Sequence, residues 1–203
     1  MKILCVGRNY AEHAKELNNA VPADPIIFMK PPSAVLRESK PFYIPEFTNE
    51  VHYELELIVK ICKNGKYIDP AFARNYYDEV SVGIDFTARD IQQKLKNQGH
   101  PWEIAKAFDH SAVIGTWLPY TEEKKHSDLT FQLLKNGEPV QSGVQSDMIF
   151  GIDQLIAYMS RFFKLQFGDI IFTGTPAGVG PVKIGDHLEG FLGKEKLLHC
   201  DVK

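Results

Sequence analysis

Residues 52–59, His-Tyr-Glu-Leu-Glu-Leu-Ile-Val, constrain the fold of this chain most, because two acidic residues interrupt a run of strand-forming residues. Side chains alternate between the two faces of a β-strand, so His52, Glu54 and Glu56 are predicted to share one face. The aromatic and aliphatic side chains between them face the other side. The strand therefore places two carboxylates side by side.

Neighbouring carboxylates repel each other, and burial strengthens this repulsion because it removes the surrounding water. In a folded protein the pair is stable when a cation lies between the two groups or when the face is open to water. A lone Glu-x-Glu pattern is more typical of the exposed polar face of an antiparallel sheet. Other parts of the sequence must distinguish these alternatives.

A third acidic residue, Asp85, is the one charged residue in a second strand-like run at residues 82–87. Residues 87–90, Thr-Ala-Arg-Asp, have the pattern of a capping box, which predicts that a helix begins here. Asp85 is therefore expected at a strand-to-helix junction, where acidic residues from two strands could converge on one cation. A set of carboxylate ligands suits a hard ion such as Mg2+ or Mn2+ rather than Zn2+.

The chain has 203 residues, of which 44% are hydrophobic and 24% charged, a composition typical of a globular protein. No linker or repeat divides it, so residues 1–203 are predicted to form a single domain. The net charge of −3 and the lack of a basic segment argue against nucleic acid or a membrane surface as a partner. A small-molecule substrate is the expected partner.

The cysteines and the apolar segments predict the location of the protein. Cys5, Cys62 and Cys200 are scattered and show neither a disulfide framework nor a zinc-site spacing, which indicates a reducing compartment. No run approaches the roughly 20 apolar residues of a membrane span, and the apolar run near the N-terminus is shorter than that of a secretory signal. We therefore expect a cytoplasmic protein.

Hydrophobic patterns and turn residues predict further strands near residues 1–7, 25–30, 129–134, 140–144, 169–172, 184–189 and 197–202, and helices near 10–17, 69–77 and 152–163. Two Asn-Gly pairs, at 64–65 and 136–137, each predict a tight hairpin turn. Residues 173–181 offer free backbone amides, either in a plain turn or in a cradle for a substrate carboxylate. They lack the spacings of a phosphate-binding loop and of a dinucleotide site.

Several polar residues in helical segments are candidates for chemistry. His13 and Glu16 share a face of the first helix, so the carboxylate can orient the imidazole as a general base, unless the two form a solvated surface pair. Arg89 and Gln92 share a face of the helix after residue 87, which suits a bound carboxylate or an amphipathic surface helix. Lys106 has apolar neighbours, and it is either a surface residue or a cation beside the carboxylates.

Together these motifs closely resemble the fumarylacetoacetate hydrolase superfamily, and within it the short acylpyruvase/oxaloacetate decarboxylase branch. The resemblance covers nearly the whole chain and implies an α+β, mainly β fold, a β-roll of mixed strands with short peripheral helices, and usually a homodimer. It rests on Gly7-Arg8-Asn9-Tyr10 with His13 and Glu16, His52-x-Glu54-Leu55-Glu56-Leu57, Gly83-Ile84-Asp85-x-Thr87-Ala88-Arg89-Asp90, Lys106 and Thr173-Gly174-Thr175-Pro176.

The resemblance also implies roles for individual residues. Three acidic residues match the family's Mg2+ or Mn2+ ligands: Glu54, Glu56 and Asp85. Three residues match its catalytic groups: His13 and Glu16, a dyad on a lid helix, and Lys106. Three match positions that contact the substrate: Arg89, Gln92 and Thr173. The family does not use the position of His52 as a ligand, so this histidine is expected behind the ligands.

The implied function is hydrolysis of the C–C bond of an acylpyruvate, such as acetylpyruvate or fumarylpyruvate. Such a 2-oxo acid can chelate Mg2+, while His13, oriented by Glu16, activates water and Lys106 stabilises the oxyanion. Decarboxylation of oxaloacetate, hydration of a 2-oxo-alkenoate and isomerisation are alternatives on the same site. A carboxylate–metal binding dimer without turnover is the non-enzymatic alternative, but a mere binder has no need of a general base.

Overall fold

The computed structural model describes residues 1–17, 20–36, 40–121 and 128–203. These residues form a mainly β fold with a few short helices, so the predicted fold class is confirmed. The strands are β1 (Ile3–Gly7), β2 (Ile26–Lys30), β3 (Val35–Leu36), β4 (Val51–Tyr53), β5 (Leu55–Ile61), β6 (Tyr77–Asp85), β7 (Thr87–Ala88), β8 (Ala112–Ile114), β9 (Leu118–Pro119), β10 (Thr130–Lys135), β11 (Glu138–Val144), β12 (Ile170–Phe172), β13 (Gly180–Pro181), β14 (His187–Leu192) and β15 (Glu195–Asp201).

The helices of the described ranges are short. They are α1 (Ala11–Glu16), α2 (Pro70–Ala73), α3 (Arg89–Gln98), α4 (Glu103–Lys106) and α5 (Ile152–Phe162). In these ranges no helix has the length and apolar character needed to cross a membrane. The three cysteines are free, as their scattered positions predict.

Within the described residues, the strands form a large mixed sheet and two smaller sheets. The large sheet has eight strands, seven of them in the order β2-β1-β12-β5-β6-β8-β3, and β9 pairs with β6. In it β1 and β12 are parallel, as are β3 and β8, whereas β5 and β6 form a long antiparallel ladder. The second sheet, β11-β10-β14-β15, contacts β5 and β6, and the third is β13-β4-β7.

Strands β5 and β6 separate two hydrophobic clusters. On one face Leu57 and Val82 belong to the main core, which also contains Leu188 and Leu198 of the second sheet. The opposite face of β5 carries Ile58, in a smaller cluster with residues of β1 and β12. Glu54 and Glu56 have the same parity as Ile58, so they also lie away from the main core.

Gly83 allows close packing at the centre of this sheet. It pairs with Glu56 in the β5–β6 ladder. A Cβ atom at Gly83 would lie 2.8 Å from the ring of Phe172 and 2.9 Å from the carbonyl oxygen of Val113. The neighbouring strand and ring can therefore approach only a residue without a side chain.

One predicted hairpin is confirmed and the other is wrong. Asn136 and Gly137 join β10 to β11 with φ angles of 56° and 83°, as a tight hairpin turn requires. Strand β5, however, ends before Asn64, and its partner β6 begins only at Tyr77, after α2. Gly65 instead exchanges backbone hydrogen bonds with Leu165, at 2.9 and 2.8 Å.

The predicted capping box at residues 87–90 is also wrong. Helix α3 begins at Arg89 and has no side-chain hydrogen bond at its N-cap, Ala88. The carboxylate of Asp90 accepts hydrogen bonds from the Thr48 hydroxyl at 2.5 Å and from the Asn49 amide at 3.0 Å. Asp90 therefore connects the segment before β4 to α3. Its hydrogen bonds to Thr48 and Asn49 take the place of the predicted capping bond at the start of the helix.

We predict that Gly83→Ala lowers the free energy of unfolding by about 1–3 kcal/mol, the usual cost of overpacking. The new methyl group would press on a backbone oxygen, which cannot rotate away. Urea denaturation measures the effect. Asp78→Ala, at an exposed position of the same strand, is the control and should change stability by less than about 0.5 kcal/mol. Equal effects of the two substitutions would contradict the close-packing argument.

Candidate active site

The three acidic residues converge as the sequence predicts. Oxygen atoms of Glu54, Glu56 and Asp85 all lie within 4.8 Å of one another. The three residues are 4%, 1% and 0% exposed, so the open polar face is excluded. The backbone fixes this geometry, because the Asp85 amide donates to the Glu54 carbonyl at 2.9 Å beside the β5–β6 ladder.

Cations from two helices surround these carboxylates. The Lys106 ammonium, in α4, donates to Glu54 Oε2 at 2.6 Å and to Asp85 Oδ2 at 2.8 Å. The Arg89 guanidinium, at the start of α3, donates to Glu54 Oε1 and to the Gln92 side-chain carbonyl. The predicted metal ligands and three of the other predicted site residues therefore form one cluster.

The electrostatics of the cluster distinguish its members. Burial by itself would raise the pKa of Glu54, but Lys106 and Arg89 outweigh burial and hold this pKa well below its usual range. For Glu56, burial and then the charge of Asp85 raise the pKa. Burial would lower the pKa of Lys106, but Asp85 and Glu54 raise it overall. Lys106 therefore remains an ammonium in this buried place.

The structure adds Lys30, which the sequence pattern does not reveal. This residue at the end of β2 is 1% exposed, and its Nζ lies 2.7 Å from Asp85 Oδ1. The same ammonium donates to the backbone carbonyl of Lys106 and to the Ser111 hydroxyl at 2.8 Å. Asp85 Oδ1 accepts no hydrogen bond of proper geometry from the described residues, so its contact with Lys30 is ionic.

Helix α1 covers the cluster with the predicted dyad. His13 is buried, and its Nδ1 lies 3.0 Å from Glu16 Oε2, whereas the Glu16 side chain is 32% exposed. The histidine of the pair is therefore removed from solvent, and the carboxylate reaches the surface. The other carboxylate oxygen of Glu16 accepts the Gly178 amide at 3.0 Å, which joins α1 to the loop at residues 173–181. The dyad therefore connects the helix to both the site and the loop.

A small inner chamber lies under α1. Its volume is about 30 Å³, enough for about two water molecules. Its lining consists of Val6, Gly7, Arg8, His13, Leu17, Phe28, Glu54, Arg89, Gln92, Lys96, Trp102, Lys106 and Thr175. A larger apolar cleft of about 920 Å³, beside Met29 and Ile104, contains none of the three carboxylates, so its size does not make it the candidate site.

Five predicted residues lie outside the lining of this chamber: Glu16, His52, Glu56, Asp85 and Thr173. The Thr173 hydroxyl donates to the Leu57 carbonyl at 2.7 Å, and Thr175 of the same loop lines the chamber instead. The contact of Thr173 with substrate therefore stays a prediction. His52 lies behind the ligands as expected, because its Nδ1 accepts from Arg89 Nε at 3.3 Å and its Nε2 lies 2.8 Å from Glu50.

Similar proteins place the chain in a family. The family model described as fumarylacetoacetate (FAA) hydrolase C-terminal matches residues 2–201. An oxaloacetate tautomerase of Escherichia coli is 44% identical over 188 residues, which cover 92% of this chain and 86% of that protein. The mitochondrial oxaloacetate tautomerase of Bos taurus is 41% identical over 187 residues, covering 92% of this chain and 85% of the relative.

A solved structure agrees with these relatives. The crystal structure of fumarylpyruvate hydrolase from Pseudomonas aeruginosa, in complex with Mn2+ and pyruvate, matches with a TM-score of 0.93 at 36% identity. The match covers 100% of this chain and 89% of that one. The resemblance inferred from the sequence motifs is confirmed. The chain belongs to the fumarylacetoacetate hydrolase family of enzymes, within which it is similar to oxaloacetate tautomerases and to a fumarylpyruvate hydrolase.

Proposed function

We propose that this chain is a divalent-metal-dependent enzyme that interconverts the keto and enol forms of oxaloacetate or a similar 2-oxo acid. The observation that carries the proposal is the convergence of Glu54, Glu56 and Asp85 beside Lys106. Glu54 and Lys106 line the inner chamber together with His13. The similarity to relatives named oxaloacetate tautomerases supports the choice of substrate.

The three carboxylates fit Mg2+ or Mn2+. They are buried, offer only oxygen ligands, and include one oxygen, Asp85 Oδ1, that accepts no hydrogen bond from the described residues. A divalent cation held there supplies Lewis acidity, which stabilises negative charge on an adjacent carbonyl oxygen of the substrate. The Mn2+ in the structure of the similar fumarylpyruvate hydrolase supports this choice of ion.

The side chains of the chamber supply the remaining chemistry. Arg89 and Gln92 present a guanidinium and a carboxamide, which suit the carboxylate of a 2-oxo acid. Lys106 provides a fixed positive charge for the oxygen that becomes negative when a proton leaves C3. Glu16 holds Nδ1 of His13, so Nε2 is the nitrogen that takes the proton from C3 and returns it to the substrate.

Hydrolysis of an acylpyruvate, the activity implied by the sequence motifs, is the second candidate. The specific observation in its favour is the pairing of the buried His13 with Glu16, because the same base can activate a water molecule for attack on the distal carbonyl. The similarity to fumarylpyruvate hydrolase supports it as well. Hydrolysis consumes water and yields pyruvate, whereas tautomerisation does neither, so product analysis distinguishes the two reactions.

Removal of the metal should abolish both candidate activities, tautomerisation and hydrolysis. We expect chelator-treated protein to lose turnover of oxaloacetate enol and to recover it with Mg2+ or Mn2+. Glu56→Gln keeps the shape of the side chain but removes its charge, so metal binding measured by calorimetry should be lost together with turnover. Full activity of the chelated protein would contradict the metal-dependent proposal.

Lys30 offers a test of the metal site that does not depend on activity. In chelator-treated protein, Lys30→Met should lower the free energy of unfolding by about 3–5 kcal/mol, because it removes one of the two cations that compensate the buried Asp85 carboxylate. Added Mg2+ should recover more stability in this variant than in the wild type, since the metal replaces the missing positive charge. Urea denaturation with and without Mg2+ measures both effects.

Lys60→Met is the matched control for Lys30. Lys60 pairs with Glu79 at 2.5 Å, but both side chains are about one-third exposed, at 30% and 35%. The loss should therefore be about 0–1 kcal/mol and independent of Mg2+. If Mg2+ restored the two variants equally, charge compensation at Asp85 would not be the reason for burying Lys30.

His13 should affect proton transfer more than decarboxylation. Loss of a carboxyl group from oxaloacetate needs stabilisation of negative charge but no base, whereas tautomerisation and hydrolysis need His13. We expect His13→Ala to lower the ratio of tautomerisation to decarboxylation, as kcat/KM values, by about 10²-fold, the usual effect of losing a general base. Using one metal-loaded preparation cancels differences in active fraction. An unchanged ratio would remove His13 from the base role.

A further inference from the structure

Arg8 is a cation of the inner chamber that the chemistry above does not use. Its guanidinium lies 5.9 Å from the centre of the Trp102 ring. Within the described residues, Arg8 has no ion-pair or hydrogen-bond partner, although it is half-buried. A partly desolvated guanidinium with only an aromatic neighbour has its five N–H donors free for an anion.

The backbone holds Arg8 in this place. Its φ angle is 59°, in the left-handed region that arginine rarely adopts. The next residue, Asn9, fixes the turn, because its side-chain amide donates to the carbonyls of Phe150 at 3.0 Å and Thr173 at 2.7 Å. Gly7, on the other side, allows Trp102 to approach, since a Cβ there would lie 3.0 Å from the indole. The left-handed backbone conformation at Arg8 therefore directs its side chain to the chamber.

Lys96 provides a second cation at the same wall. It lies in α3, two turns after Arg89, and lines the chamber together with Arg8. Burial lowers the pKa of Lys96, and the positive charges of Arg8 and Arg89 lower it further. Two cations, Arg8 and Lys96, therefore line the same wall.

The two cations stand between the inner chamber and an outer vestibule. Arg8, Leu17, Lys96 and Trp102 line both the inner chamber, of about 30 Å³, and the vestibule, of about 680 Å³. The inner chamber is too small for a whole four-carbon acid beside the carboxylates. A substrate whose 2-oxo end lies at Arg89 and Lys106 must therefore extend its distal end to the wall of Arg8 and Lys96.

The charge balance indicates the nature of that distal end. The three buried carboxylates of the inner site already face three cations, Lys30, Arg89 and Lys106. Arg8 is additional to this set, and a bound divalent metal would add more positive charge. A dianionic substrate compensates the excess better than a monoanionic one.

We propose that Arg8 and Lys96 form a second anion subsite, which binds the distal carboxylate of a dianionic 2-oxo acid and selects it over monoanionic analogues whose distal end is uncharged. This subsite rests on the proposed function, because it presumes that the 2-oxo end lies at the three carboxylates. Oxaloacetate and acetylpyruvate are a matched pair of probes. Both share the carbon chain from C1 to C4. At C4, oxaloacetate has a carboxylate oxygen where acetylpyruvate has a methyl group.

The experiment compares both substrates in Arg8→Gln and Lys96→Gln, each loaded with Mg2+. We expect kcat/KM for oxaloacetate to fall roughly 10-fold or more in each variant, mainly through KM, as for a lost charge-assisted hydrogen bond. Turnover of acetylpyruvate, by tautomerisation or cleavage, should change by about two-fold at most, because acetylpyruvate has no distal carboxylate to bind the two cations. Arg8→Lys should restore part of the oxaloacetate activity, since it keeps the charge.

Lys94→Gln is the matched control, since Lys94 is exposed on the same helix and does not line the chamber. It should leave both substrates unchanged. Equal losses for the two substrates in the Arg8 and Lys96 variants, or no loss for either, would overturn the subsite and leave the proposed function intact.

A binding measurement tests the subsite without turnover. Malate and lactate share a 2-hydroxy acid end, and only malate has a distal carboxylate. Quenching of tryptophan fluorescence reports their binding, because Trp102 lies beside Arg8. Wild-type protein should bind malate more tightly than lactate, and Arg8→Gln should remove the difference. If the wild type turned over neither oxaloacetate nor acetylpyruvate, the proposed function would be wrong. The binding of malate and lactate would then still test whether the subsite exists. Equal affinity of the wild type for malate and lactate would overturn it.

Discussion

The burial of three carboxylates at one point is the constraint on which the rest of the structure depends. Without compensation, Glu54, Glu56 and Asp85 would oppose folding strongly, because each charge loses its water. Compensation comes from cations in three other parts of the chain, Lys30 at the end of β2, Arg89 at the start of α3 and Lys106 in α4. These charges fix the positions of the elements that carry them relative to β5 and β6.

Local periodicity explains why the acidic centre could be predicted from the sequence. The alternation of a strand puts Glu54 and Glu56 on one face, and Asp85 ends a second strand-like run. Lys30 follows four apolar residues, so its pattern is that of a lysine at an exposed strand end. Its burial results from contact with the carbonyl of Lys106, 76 residues away. No local pattern contains that information.

The two Asn-Gly pairs show the same limit. At Asn136-Gly137 the strands on either side pair directly, so the left-handed backbone of the turn is used. At Gly65 a Cβ atom would lie 2.4 Å from the ring of Tyr76 and 2.8 Å from Ile68. Glycine is therefore required there by close packing against these two side chains and not by a turn. The same dipeptide serves a turn in one place and a close approach in the other.

The segment Gly7-Arg8-Asn9-Tyr10 links the sheet to the covering helix. Asn9 bonds the chain to Phe150 and to the loop at Thr173, and the Tyr10 ring packs on Phe131 with 6.3 Å between ring centres. Helix α1 starts immediately afterwards and has only six residues, too few to be stable alone. The place of His13 above the carboxylates is therefore set by the Asn9 network at one end and the Glu16–Gly178 bond at the other. Because six residues do not form a stable helix alone, loss of either attachment would displace His13 from the carboxylates.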